Sequence, residues 1–156
     1  MPNNLTTQQK GRCGELLVQY VLLKHGIESA PLTTDTGIDL VVYPRTATSN
    51  WPADKPVTIQ IKTSTYRGSA TNKWLEWNLP NNCPADYVSI VDLERNKVWF
   101  FKLADFKSVA TKSGEQLRLW WPPPEYDYPK APRHESDFAK YEIDKGIRNA
   151  FGLPKP

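Results

Sequence analysis

The chain has 156 residues, a formal net charge of +3 and a pI near 8.8. That length suits one domain with a real core and is too short for two typical ones, and so small a charge does not by itself mark a phosphate-binding surface. No stretch approaches the roughly 18 apolar residues that cross a bilayer, which excludes a helical membrane protein.

Thr6 or Thr7 can cap a helix running to about His25, where Gly26 stops it. Leu16, Leu17, Tyr20 and Val21 form its expected apolar stripe, widened by Val18, Leu22 and Leu23, which predicts a well-buried helix. Gly11 and Gly14 weaken it by ~1 kcal/mol each. They permit close packing, or the approach of a backbone or a DNA phosphate to Glu15. His25 reads as a helix-end residue without chemistry, since a cation is favoured there.

A short strand is expected near residues 27–32, then strands over 37–43 and 57–63 with a loop through Trp51 between them. Trp74 to Leu79 alternates like another strand, and residues 80–84 read as a turn. Residues 86–92 and 97–103 form a predicted hairpin around Glu94-Arg95-Asn96. A short helix over 104–110 and a last strand over 116–120 follow. Five prolines between Trp121 and Arg133 predict an ordered strap or a linker, at 122–133. A final helix over about 136–151, ended by Gly152, carries Phe138, Tyr141, Ile147 and Phe151. The whole is read as a single domain with its core at about residues 5–121.

Successive strand residues point to opposite faces of a sheet. In Val57-Thr58-Ile59-Gln60-Ile61-Lys62, the apolar side chains share one face and Thr58, Gln60 and Lys62 the other. In Thr36-Gly37-Ile38-Asp39-Leu40-Val41-Val42, Ile38, Leu40 and Val42 oppose Asp39. If the strands are neighbours, Asp39, Gln60 and Lys62 converge on one surface. A lysine inside an apolar strand is costly unless carboxylates or a ligand lie near.

With Glu15 in Gly11-Arg12-Cys13-Gly14-Glu15 upstream, these residues resemble the PD-(D/E)xK nuclease superfamily, which has the restriction-endonuclease-like fold. Glu15, Asp39, Gln60 and Lys62 stand at its signature positions. The glycine-flanked start resembles the Holliday-junction resolvase and small intron-encoded homing endonuclease branches. The likeness covers roughly the first two-thirds of the chain. Ile38 replaces a loosely kept proline and Gln60 the second acid; an amide oxygen is a weaker ligand than a carboxylate for a hard cation.

The resemblance implies a mixed α/β fold, with a central mixed sheet flanked by helices, and Mg2+-dependent DNA hydrolysis, with Mn2+ able to substitute. It implies metal ligation by Asp39 and the backbone carbonyl of Ile61, with Glu15 acting directly or through water. Gln60 would orient the attacking water or lend its amide oxygen, and Lys62 would hold the water and offset phosphate charge. A homodimer or higher homo-oligomer follows from the pairing of two sites for duplex cutting.

Each residue also has a plainer reading. Glu15 can face a helix dipole, Asp39 can be a turn acid after Gly37, and Lys62 can guard an edge strand. Taken jointly, their order and spacing favour the nuclease.

Tyr66, Arg67, Lys73 and Trp74 suit contact with a phosphate backbone and unstacked bases, with Arg67 and Lys73 expected in a loop. One of Trp74 and Trp77 is expected in the core. Cys13 and Cys83 have no metal-ligand spacing, and the start lacks the apolar run of a signal peptide. The expectation is an intracellular, cytoplasmic protein with free thiols. Two other readings compete: a catalytically inactive DNA- or junction-binding module of the same fold, and a structural subunit of a nucleic-acid assembly.

Overall fold

The computed structural model describes residues 5–34, 37–43, 55–126, 128 and 130–153. Thr36 and the loop through Trp51 lie outside the described residues.

Helix α1 (Thr7–Lys24) opens on a reciprocal cap: Thr6 Oγ1 accepts from the Gln9 N–H at 3.2 Å, and the Thr6 N–H donates to Gln9 Oε1 at 2.9 Å. Its buried line is Gly14, Val18 and Leu22, with Leu17 and Val21 beside it. Leu16, Tyr20 and Leu23 are exposed, so the helix is one-sided rather than well buried. The i, i+4, i+8 line wins because Gly14 sets the contact. A Cβ there would lie 1.9 Å from Thr63 Oγ1, so only glycine brings the helix this close to the sheet.

Five strands form the first sheet: β1 (Ser29–Pro31), β2 (Leu40–Val42), β3 (Val57–Ser64), β6 (Tyr87–Asp92) and β7 (Lys97–Lys102), in the order β1-β2-β3-β6-β7. β3 and β6 run parallel and the other neighbours antiparallel, so the sheet is mixed. A second sheet, β4-β5-β9-β8, is built from β4 (Arg67–Ser69), β5 (Asn72–Pro80), β9 (Gln116–Trp121) and β8 (Thr111–Ser113). The predicted loop at Gly68 is therefore a β4–β5 hairpin, and β5 runs on through Pro80. The predicted short helix is α2 (Leu103–Val109).

Alternation along β6 and β7 divides the interior in two. Tyr87, Val91, Val98 and Phe100 join α1 in one core. Val88, Ile90, Trp99 and Phe101 join Trp77, Leu119 and Trp121 of the second sheet in the other. Trp77 is the core aromatic, 1% exposed, while Trp74 is half-buried.

The single C-terminal helix expected over 136–151 is two elements: a 3-10 turn at Glu135–Tyr141 and helix α3 (Ile143–Phe151). Between them Glu142 is extended, at φ −53° and ψ 140°, and bridges to Trp99. The break follows from the two cores. Phe138 stacks on Trp121 at 4.6 Å and Tyr141 on Phe101 at 4.2 Å in the second, whereas Ile147 and Phe151 fill the first. One straight apolar stripe cannot serve both.

At its described residues the Pro-rich segment is held to the fold as a strap would be: the Tyr66 hydroxyl donates to Glu125 and the Tyr66 ring meets Tyr126 edge-on at 6.3 Å. No described helix is long and apolar enough to cross a membrane.

Candidate active site

β3 lies between β2 and β6 in the middle of the first sheet, with Leu40 opposite Ile59 and Ile59 opposite Tyr87. Val57, Ile59 and Ile61 are buried in the core against α1, so period two turns Gln60 and Lys62 to the other face. Lys62 therefore guards no edge. It is half-buried in a central strand and forms no ion pair or hydrogen bond among the described residues.

Asp39 stands one residue before β2. Its N–H donates to the Ile59 carbonyl at 2.9 Å and its carbonyl accepts from Leu32 at 2.9 Å, so its backbone is already held in the sheet. Its Oδ2 accepts from the Ile61 N–H and from Gln60 Nε2, each at 2.5 Å. The carboxylate thus takes a main-chain donor that β2 does not, which makes Asp39 part of the strand pairing rather than a turn acid. The same Gln60 nitrogen lies 3.4 Å from the Ile61 carbonyl oxygen.

The geometry bears on the divalent cation that the resemblance implies. The Asp39 carboxylate and the Ile61 carbonyl are the two oxygens that the resemblance assigns to a divalent cation, and they converge on one point. A positively polarised N–H2 group, that of the Gln60 amide, stands there. A glutamate at position 60 would set two carboxylates against each other without a cation between them. Hard oxygen donors suit Mg2+, so the donor set fits it once the Gln60 amide turns away or presents Oε1. Among the described residues no group of three His, Cys, Asp or Glu side chains gathers around one point, in keeping with glutamine in the third place.

Glu15 stands apart. It is two turns inside α1 rather than at its start, so the dipole reading does not apply to it. Its carboxylate pairs with Arg12 at 2.7 Å. Gly14 meets Thr63, whose side chain is on the sheet face opposite Lys62. The structure therefore joins Asp39, Gln60 and Ile61, turns Lys62 to the same sheet face as Gln60, and leaves Glu15 with Arg12.

The proposed nucleic-acid residues are partly engaged already. The Lys73 ammonium lies 5.5 Å from the rings of both Tyr66 and Tyr126. Burial, and then the hydrogen bond to Glu125, push the Tyr66 pKa well above the tyrosine range, so the hydroxyl stays protonated. Arg67 is exposed, 3.9 Å from Glu76. Trp74 lies over β4, where Gly68 at φ +103° makes room: a Cβ would come within 2.5 Å of the indole. Sequence reasoning missed Arg118, which binds Glu76 at 2.5 Å across β5 and β9. The available signal was its alternation with the buried Leu117 and Leu119.

No protein-family model matches the chain, and no curated protein matches it. Among solved structures it is similar to a bacterial homing endonuclease, I-Ssp6803I, at 16% identity and a TM-score of 0.62, over 94% of this chain and 92% of that one. At that identity the likeness establishes the fold.

Proposed function

We propose that this chain is a DNA endonuclease that hydrolyses phosphodiester bonds with a divalent metal at Asp39 and the Ile61 carbonyl. One observation carries the reading: two oxygens of the kind that hold Mg2+ meet at the Gln60 amide nitrogen, on the same sheet face as a lysine with no ionic partner among the described residues. The fold shared with a homing endonuclease supports it.

Asp39 and the Ile61 carbonyl would hold Mg2+, or Mn2+ in its place, with Gln60 turned to present its oxygen and water filling the remaining positions, while Glu15 stays with Arg12. The metal would supply Lewis-acid stabilisation of charge on the phosphate. Lys62 lies two residues from Gln60, about 6.6 Å along the strand, close enough to hold the attacking water and offset charge on the phosphoryl oxygens. Gln60 orients the water through its amide. Arg67 and Lys73 contact the DNA backbone. Cutting both strands at one site requires a second active site, so the working form is a homodimer or higher homo-oligomer in an intracellular setting.

The Gln60 contact also favours a second reading, a DNA- or junction-binding module without catalysis, because the amide satisfies Asp39 with no metal at all. Supercoiled, branched and linear DNA incubated with Mg2+ or Mn2+ separates the two. The endonuclease cuts at least one, and Asp39→Ala abolishes cutting while still folding. DNA binding with Ca2+ but no cleavage of any substrate supports the module instead.

A further inference from the structure

The second sheet has a solvent face that its core does not explain. Leu75, Trp77 and Leu79 of β5 and Leu117, Leu119 and Trp121 of β9 point inward and are buried. Alternation turns Trp74 of β5 and Arg118 and Trp120 of β9 outward. The solvated face of an antiparallel sheet is ordinarily polar, so two half-buried tryptophans there are informative. Neither ring stacks on another aromatic ring among the described residues.

Trp74, Trp120 and the strap residue Tyr128 line a cavity of about 230 Å³. That is below the roughly 300–1,000 Å³ of drug-sized pockets, which leaves room for one planar ring system. Lys73 and Arg118 stand at the same cavity. Lys73 is held there by its two tyrosine rings, and Arg118 by Glu76 through Nη2. The Arg118 Nε is buried and has no hydrogen-bond acceptor among the described residues, while the side chain as a whole is 43% exposed. That nitrogen is closed to a ligand, but the exposed part of the guanidinium can meet an anionic group at the cavity. Two cations in the wall disfavour a cationic guest. Aromatic walls and basic neighbours together describe a nucleobase with its phosphate.

We propose that this cavity takes a single unpaired base of a DNA strand, stacked against Trp74 and Trp120, with the exposed part of the Arg118 guanidinium facing its phosphate and Lys73 facing the backbone. The proposal rests on the DNA reading above and adds to it a preference for DNA with an extruded or unpaired nucleotide. A base inside a matched duplex is held by its neighbours and must leave the stack to enter.

The test is binding, with Ca2+ in place of Mg2+, to two fluorescent duplexes that differ only in one looped-out 2-aminopurine, with free deoxynucleoside monophosphate as a third arm. The wild-type chain is expected to bind the looped-out duplex roughly tenfold more tightly, with a change in the 2-aminopurine signal. Trp120→Ala and Arg118→Met should each reduce that preference and leave matched-duplex affinity unchanged, which also shows that the variants fold. Equal affinity for both duplexes, or equal losses on both, overturns the pocket and leaves the DNA reading standing. Binding to neither overturns both. Free nucleotide bound as tightly as the looped-out duplex overturns the strand and points to a mononucleotide site.

Discussion

Two clusters of charge flank the first sheet, and they are built on opposite terms. At the β6–β7 turn, Asp92 is fully buried and meets Arg95 at 2.6 Å, Arg95 meets Glu135 at 2.5 Å, and Lys97 meets Glu135 at 2.7 Å. Each of these four charges has a partner, and the cluster clamps the 3-10 turn to the hairpin. At β3, amide donors of Gln60 and Ile61 meet the Asp39 carboxylate, while Lys62 forms no ion pair among the described residues. A scaffold satisfies its buried charges from within, and a site for a charged ligand leaves one to be satisfied by what binds.

The pKa shifts carry the same contrast. Burial raises the Asp92 pKa despite the Arg95 hydrogen bonds that lower it. Burial works against the Arg95 charge, but hydrogen bonds to Glu135 and Asp92 outweigh it and raise that pKa. Removing the guanidinium leaves the buried Asp92 without an opposite charge, held only by the Glu94 and Arg95 backbone N–H groups. Arg95→Ala should therefore cost about 3–5 kcal/mol in denaturant unfolding, the largest effect expected from one substitution here. A loss under 1 kcal/mol would mean that the clamp is not structural.

Lys62→Ala sharpens the contrast from the other side. Cleavage should fall by roughly a hundredfold to a thousandfold, while stability stays within about 0.5 kcal/mol because no described partner is lost. Parallel cleavage and unfolding measurements check both. A strongly destabilised variant would make Lys62 part of the scaffold.

These residues also show what the sequence could and could not reveal. Gln60 and Asp39 were legible because period two and one strand pairing fix their side of the sheet. The β6–β7 hairpin was legible from its turn, where Asn96 takes φ 53°. The β8 strand, three residues of Thr111–Ser113, carries too little pattern to be seen. The break at Glu142 depends on the division between two cores, which belongs to the assembled fold. Glu15 was assigned by its place in a motif, and its neighbour Arg12, three residues back on the same helix, takes it instead. The α1 stripe was misjudged because Gly14, counted as a weakness, is the contact point.

A smaller effect is expected at Glu76. Burial raises its pKa, but hydrogen bonds from Asn78 and Arg118 outweigh this and lower it below the ordinary glutamate value. Its folded pKa then lies below its unfolded one, so the unfolded chain binds more protons between the two. The stabilisation is complete above the unfolded value and disappears as pH falls through the folded one. Glu76→Gln should lose about 1 kcal/mol at neutral pH. It should also flatten the acid limb of the stability curve, as followed by unfolding from pH 7 to pH 3.

The metal account turns on Gln60, and thermal unfolding of Gln60→Glu in chelator and in Mg2+ tests it most directly. The account predicts a variant less stable than wild type in chelator, where two carboxylates face each other. It also predicts a larger gain than wild type on adding Mg2+, since a bound ion stabilises the fold by mass action. A variant whose melting temperature ignores Mg2+ would contradict a metal at Asp39.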